Sequence, residues 1–300
     1  MGSARCSSLA ALARSRRRLT GRPTHRVPRI VAFLVLLPSL LVLPAGRGIA
    51  EEAPETLIFA GCDANLPITR LLARAFTRTR PHVRIHLETV GSTTGIALAA
   101  AGAVHIGLVS RPFRDAEEAR GLAFRPYAKT ALIIAADPNV PDITLAAADL
   151  LGLYRGTTER WGSLDVALFT REEGDSSVAS LKQALPGFTE AYAAALKTSR
   201  WTVLYSEPMM HEALLIFPFA LGLSDLGTIL IERLPIKALS IDGVAPTLEN
   251  VASGRYPFTK ILALVWREDA ASPSVRAFVE FVESAEAAAI LTSHGYLPSR

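Results

Sequence analysis

The chain has 300 residues, half of them hydrophobic, with 32 lysines and arginines against 28 acidic residues and a formal net charge of +4. That length supports a large core and about two domains of ordinary size. Nine of the basic residues (Arg5, Arg14, Arg16, Arg17, Arg18, Arg22, Arg26, Arg29 and Arg47) and none of the acidic ones fall in residues 1–50, so the rest of the chain carries a net charge of −5, which argues against a nucleic-acid footprint.

Residues 30–43 form an apolar run behind this basic segment, too short for a comfortable membrane span and interrupted by Pro38 and Ser39. The pattern predicts a signal peptide over residues 1–50. Gly48-Ile49-Ala50 offers small residues for cleavage before Glu51. Ser15-Arg16-Arg17-Arg18-Leu19-Thr20 hints at twin-arginine export, but residues 20–29 separate it from the apolar run, so ordinary secretion ranks first and a retained anchor is the alternative. The expected location is periplasmic. Cys62 would then be the only cysteine left, with no internal disulfide to form.

Strand-like and helix-like pieces alternate beyond residue 51. A short apolar strand at 56–60, a polar loop at 62–67 and an amphipathic helix at 68–79 are followed by a strand at 83–90, a helix at 93–102 and a strand at 104–109. This repeated βαβ order predicts a mostly parallel sheet with binding loops at the strand C-termini. The apolar run 131–136 suits a buried central strand or one passing between domains. A helix at 145–154, a strand at 166–170, a polar loop at 171–177 and a helix at 178–185 come next, then strands near 217–223, 234–241 and 261–266 and a helical region at 274–294. The expected architecture is α/β: two interwoven domains, 51–130 with 240–300 and 131–239, with mixed, mostly parallel sheets and an interdomain cleft.

Four loops at strand ends carry the polar chemistry. Gly91-Ser92-Thr93-Thr94-Gly95 opens a helix, where free backbone N–H groups and hydroxyls make a seat for an anion, although such turns also serve as plain N-caps. Arg171-Glu172-Glu173-Gly174-Asp175-Ser176-Ser177 repeats the logic and adds a guanidinium fork suited to two oxygens of an oxyanion, which Glu173 could hold in place; a solvated surface turn is the alternative. Cys62-Asp63-Ala64-Asn65 lies at the first strand-to-helix loop, where Asp63 or Asn65 could be caps. Ser110-Arg111 ends the third strand, and His105 lies inside that strand, either satisfied in the core or facing the cleft. His82 and His86 lie in or beside one strand-like run, too far apart for easy chelation, and no metal or cofactor is expected. Trp201 and Tyr205 either pack or line the mouth of the cleft.

In this order the motifs resemble those of the phosphate-binding proteins of ABC importers, within the type II periplasmic binding fold. The glycine–hydroxyl loop 91–95, the segment Gly102-Ala103-Val104-His105-Ile106-Gly107-Leu108-Val109-Ser110-Arg111-Pro112, the arginine loop 171–177, Ala220-Leu221-Gly222-Leu223-Ser224-Asp225-Leu226-Gly227, Asn250-Val251-Ala252-Ser253-Gly254-Arg255-Tyr256-Pro257 and the ending Gly295-Tyr296-Leu297-Pro298 are each similar to a family signature. The resemblance implies two α/β domains closing on one tetrahedral oxyanion, inorganic phosphate or a relative. Asp63, Ala64, Asn65, Ser92, Thr93, Thr94, His105, Ser110, Arg171, Gly174, Asp175, Ser176 and Ser177 would form the site. It further implies a monomer that serves an ABC permease in the inner membrane and catalyses nothing.

Two departures bear on specificity. His105 stands where the family usually has an aspartate that accepts the proton of phosphate, and Gly174-Asp175-Ser176-Ser177 replaces a usual glycine, serine, glycine, threonine. Asp175 is therefore expected to take over as acceptor, with His105 as donor or orienting group. Two other functions stay open: a binding-fold sensor or scaffold with altered or lost anion specificity, and, further back, a phosphate-ester hydrolase using Ser92 or Ser176 with His105 or His211. The hydrolase lacks a Gly-x-Ser-x-Gly elbow, a His-Glu-x-x-His motif and a phosphate loop ending in Gly-Lys-Ser/Thr.

Overall fold

The chain begins its described course with strand β1 (Glu55–Gly61), a 3-10 turn at Asp63–Asn65 and helix α1 (Leu66–Arg78), in a computed structural model that describes residues 53–118, 121–141, 144–158 and 160–299. Pro67 fits the first turn of α1, where its missing N–H costs nothing, and Ile68, Leu72, Ala75 and Phe76 recur at helical spacing and are buried. Strand β2 (Val83–Thr89), helix α2 (Ser92–Ala100) and strand β3 (Ile106–Val109) complete two βαβ units. β1 lies between β2 and β3 and is parallel to both. All three strand C-termini, and the loops that follow them, therefore lie at one end. The predicted signal peptide falls outside the described residues.

After the single-turn helix α3 (Asp115–Glu118), strand β4 (Ala123–Ala136) runs for 14 residues. Its first half carries exposed Arg125, Pro126 and Lys129 among buried residues, whereas Thr130 to Ala136 are all buried. Helix α4 (Ala147–Arg155), the hairpin of β5 (Arg160–Trp161) and β6 (Leu164–Asp165), strand β7 (Ala167–Arg171), helices α5 (Ser176–Ala184) and α6 (Phe188–Lys197), strand β8 (Thr202–Leu204), helix α7 (Glu207–Ile216), strand β9 (Ala220–Asp225) and helix α8 (Leu226–Glu232) follow. The chain ends with β10 (Lys237–Ala238), α9 (Leu248–Ala252), β11 (Thr259–Trp266), α10 (Pro273–Phe281), α11 (Ala285–Ser293) and β12 (Tyr296–Pro298).

One hydrogen-bonded path orders the main strands β2-β1-β3-β11-β4-β9-β7-β8, with β10 and β12 added on β4. The flanks are parallel, β2-β1-β3 on one side and β9-β7-β8 on the other. The centre is antiparallel, because β11 returns along β4 from Thr259↔Ala131 to Trp266↔Ala123 and β9 pairs with the far half of β4. The sheet is mixed, as an α/β chain with a returning strand must be.

Two large buried clusters accompany this path. One gathers Leu57, Phe59, Phe76, Tyr127, Leu264, Phe278 and their neighbours, with the Phe59 and Phe76 rings 4.9 and 5.2 Å from that of Phe278. The other gathers Ala131 to Ala136, Tyr154, Phe188, Tyr192, Leu221 and Phe258. Burying each such side chain contributes about 1.5–3 kcal/mol, so each cluster is a substantial core. β4 changes core between Ala128 and Ala131, and the chain returns between Phe258 and Leu262. Residues 239–258 thus pack with the second core rather than changing sides near residue 240.

Some elements differ from the sequence reading. The helical region 274–294 is broken into α10 and α11, because the Ser284 hydroxyl accepts from the Ala287 N–H (3.1 Å) and starts a new helix. The strand expected over 234–241 forms only at Lys237–Ala238. Helix α7 was not anticipated.

Candidate functional site

The glycines of the second loop set the position of a helix end. Gly91 has φ of 78°, a left-handed conformation that glycine adopts without strain, and it is the N-cap of α2. Gly95 lies so close to β1 that a Cβ would come 2.7 Å from the Ala60 carbonyl oxygen. α2 is thereby seated with its first turn, and the N–H groups that lack intrahelical acceptors, beside the C-terminal ends of β1 and β3.

Around that turn the side chains fasten loops together. The Ser92 hydroxyl accepts from the Ser110 N–H (3.2 Å), and Thr93 Oγ1 accepts from Arg111 Nη2 (3.0 Å). Arg111 is buried and held by both oxygens of Glu117 at 2.7 Å, so its charge is spent on structure. Burial alone would raise the Glu117 pKa, but the Arg111 and Arg114 hydrogen bonds bring it below the usual value. Thr94 is exposed at the rim, as is Gly174. Ser110 is fully buried, and its hydroxyl has no hydrogen-bond partner.

Arg171 ends β7 and is nearly inaccessible, its carbonyl fixed by the Tyr192 hydroxyl at 2.7 Å. Asp175 is the N-cap of α5: Oδ1 accepts from the Ser177 N–H (2.8 Å) and Oδ2 lies 3.0 Å from Arg171 Nη2. Asp63 Oδ2 is 3.4 Å from the same nitrogen, and Glu172 lies 3.6 Å from Nε. Burial opposes the guanidinium charge, yet Asp175 and Asp63 outweigh it and raise the Arg171 pKa further. Nε itself is buried with no hydrogen bond. Glu173, expected beside Arg171, instead pairs with Lys182 at 3.0 Å near the surface.

The first loop meets the arginine loop directly. Asp63 Oδ1 accepts from the Ala64 N–H (2.9 Å), and Oδ2 accepts from the Glu207 N–H (2.9 Å) at the start of α7. Cys62 Sγ lies 3.5 Å from the Ser176 hydroxyl. Burial, with the Asp63 charge beside it, pushes the thiol up to about 12, so it is a neutral group at physiological pH. Asn65 is turned inward: Nδ2 donates to the Val109 carbonyl (3.0 Å), and Oδ1 accepts from the Thr69 hydroxyl (3.1 Å) and from the Tyr127 hydroxyl. Its amide ties the loop to the end of β3.

His105 does not join this constellation. It precedes β3, is exposed, and its Nδ1 accepts from the Ile58 N–H (3.0 Å) in the middle of β1. Five residues, about 16 Å of extended chain, separate it from Ser110 at the opposite end of the strand. It therefore neither donates to nor orients anything in the site.

Five buried polar residues lie behind the loops, of which Glu207 and Lys260 are absent from the sequence reading. Glu207 is buried at the start of α7, accepting from the Ser224 hydroxyl (3.0 Å), and that hydroxyl is 2.8 Å from His211 Nε2. Lys260 Nζ and Asp225 Oδ2 are 2.9 Å apart, with side chains 1% and 0% exposed. Burial works against both ions. The charges of Asp225 and Glu207 nonetheless hold Lys260 protonated, and the His211 hydrogen bond and the Lys260 charge take Glu207 down to about 2. The signals were present: Ser206-Glu207-Pro208 has the form of a capped helix start, and Lys260 is a lone charge in an apolar run. Trp201 packs through its Nε1–H to the Leu153 carbonyl (3.1 Å) and lines an apolar groove of about 600 Å³ with Phe169, Met209, Ile216 and Phe217. Among the described residues no group of three or more His, Cys, Asp or Glu side chains could hold a metal ion.

A family model described as the PBP superfamily domain matches residues 48–286. The chain belongs to the PBP superfamily. Among curated members it is 24% identical over 257 residues to the phosphate-binding protein PstS of Bacillus subtilis, covering 83% of this chain and 82% of the relative. A PstS of Borreliella burgdorferi is 22% identical, with coverages of 82% and 91%. A crystal structure from Clostridium perfringens, described as a phosphate ABC transporter substrate-binding protein with bound phosphate, superposes with a TM-score of 0.75 at 22% identity, covering 82% of this chain and all of the other. An ABC-type phosphate transport receptor from Vibrio cholerae gives 0.61 at 22% identity, with coverages of 80% and 99%. The superfamily member described here has the type II periplasmic binding fold, with its polar loops gathered at the strand ends where that fold leaves them free.

Proposed function

We propose that this protein is a secreted solute-binding protein that captures inorganic phosphate, or a related tetrahedral oxyanion, in a cleft between two lobes and delivers it to the permease of an ABC-type importer. The lobes are the chain around the first core (51–130 with 259–300) and around the second (131–258), the return lying nearer residue 260 than residue 240. The protein works in the periplasm as a monomer, after removal of residues 1–50, with no cofactor and no reaction. The observation that carries this reading is the buried Arg171 just ahead of α5, set against that helix's N-cap Asp175 (3.0 Å) and against Asp63 of the first loop (3.4 Å), whose neighbour Cys62 lies 3.5 Å from the buried Ser176 hydroxyl. Preorganised, desolvated donors around one guanidinium fork are what a small oxyanion needs. Asp175 is the acceptor for an oxyanion that still carries a proton. Relatives named as phosphate-binding proteins, over most of their length, support the same ligand.

A second reading rests on one observation: Arg171 already faces Asp63, Asp175 and Glu172. An oxyanion entering there meets more negative than positive charge, which suits a sensor with altered anion specificity. The two readings separate in a thermal-shift panel with phosphate, sulfate, molybdate and tungstate, preceded by assay of phosphate released from the purified protein on denaturation. Released phosphate and a rise in Tm with phosphate support the importer reading; no shift with any oxyanion supports the sensor.

A further inference from the structure

Asp63 makes the contacts that an oxyanion ligand would make. Its Oδ2 lies against Arg171 Nη2 (3.4 Å) and accepts from the first N–H of α7 (2.9 Å), a guanidinium and a helix N-terminus acting together on one carboxylate oxygen. These donors belong to β7 and α7, which pack on the second core, whereas Asp63 follows β1 of the first. Asp175 differs in kind. It pairs with Arg171 four residues away on the same loop and caps its own helix, so it ties nothing across. The Asp63 side chain is also 15% exposed against 5% for Asp175, so it is the carboxylate with a route to water.

We infer that Asp63 is a resident anion: it occupies Arg171 and the α7 amide, holds the two lobes together, and must be displaced before an oxyanion binds. The inference rests on the oxyanion reading given above and adds to it an internal competitor. An internal competitor lowers apparent affinity by the fraction of molecules in which the site is free, and a variant without it recovers that factor. Exchange also favours ligands with several oxygens, since a tetrahedral anion can engage Arg171, the α7 amide and the hydroxyls together, where Asp63 offers one oxygen.

Asp63→Asn is the informative variant. Asparagine keeps the local cap on the Ala64 N–H and removes the charge. Asp63→Ala serves as a second variant, with a thermal melt to verify folding. For the wild-type protein the expected radius of gyration by small-angle scattering is the same with and without saturating phosphate. Both variants are expected to be larger when free and to contract on adding phosphate, and Asp63→Asn to bind phosphate at least tenfold more tightly by calorimetry. Unchanged scattering together with unchanged or weaker binding in folded variants overturns the inference. If the free variants expand while no oxyanion binds any form, the tether stands and the oxyanion reading falls. If wild-type protein binds phosphate and both variants behave like it, the oxyanion reading stands and the resident anion falls.

Discussion

At the residue scale, Arg171 is the buried cation that pairs with both Asp63 of the first loop and Asp175 of its own, and its surroundings set the chemistry. Removing the fork should abolish high affinity: Arg171→Ala is expected to weaken phosphate binding at least 100-fold, about 3 kcal/mol. Arg171→Lys, which keeps the charge but not the bidentate geometry, should retain part of it. Asp175 is open to a cleaner substitution, because asparagine is as good an N-cap as aspartate and the Ser177 N–H stays satisfied. Asp175→Asn keeps that cap but removes a carboxylate 3.0 Å from the buried Arg171 guanidinium, so it should lower the melting temperature by several degrees and reduce the preference for phosphate over sulfate about tenfold in competition titrations. Unchanged discrimination would remove Asp175 from the acceptor role.

The same scale shows what the chain made legible. Glycines, hydroxyls and an arginine at strand ends marked the loops because strand C-termini in α/β chains converge. His105 was misplaced since a short strand reads similarly whether it starts at residue 104 or 106, and the two ends of such a strand face different surroundings. Asn65 looked like a ligand group, but its neighbours Thr69 and Tyr127, distant or unremarkable in sequence, turn it inward.

At the element scale, the βαβ units were readable from alternating periodicity, and the apolar run 131–136 was readable as buried. The full length of β4 was not, because Arg125, Pro126 and Lys129 interrupt the apolar pattern where the strand lies at the surface of the first core. Helix α7 stayed hidden since Met209, Leu215 and Ile216 are apolar yet exposed, which blurs its amphipathic stripe. The packing of α2 on β1 gives a direct test. Gly95→Ala places a methyl 2.7 Å from a backbone oxygen that cannot move aside, and should cost about 2 kcal/mol in urea unfolding while weakening oxyanion binding, because the helix end shifts.

The pair of Lys260 on β11 and Asp225 on β9 is another element-scale device. Lys260→Met leaves a buried carboxylate uncompensated and should destabilise the protein by about 3–5 kcal/mol, whereas the double variant Lys260→Met/Asp225→Leu should recover much of that loss. Glu207, next to the same ammonium, supplies the pH dependence. Its folded pKa of about 2 lies below the ordinary 4.5, so its contribution is present above pH 4.5 and is lost as pH falls toward 2. Glu207→Gln should flatten the stability curve across that window in acid titrations followed by circular dichroism.

For the molecule as a whole, the two cores, the antiparallel β4–β11 connection between them and the loops gathered at the strand ends suit a binding protein that holds its ligand between two lobes. A mildly acidic body following a basic and then apolar segment over residues 1–50 suits the proposed export, and the exported protein is expected to begin at Glu51 by N-terminal sequencing. The account stands or falls on ligand capture at Arg171. Calorimetric titration of the purified protein with inorganic phosphate is expected to give saturable binding of one anion per chain, lost in a folded Arg171→Ala variant. Absence of heat with phosphate in the folded wild-type protein, or equal affinity in the Arg171→Ala variant, would contradict it.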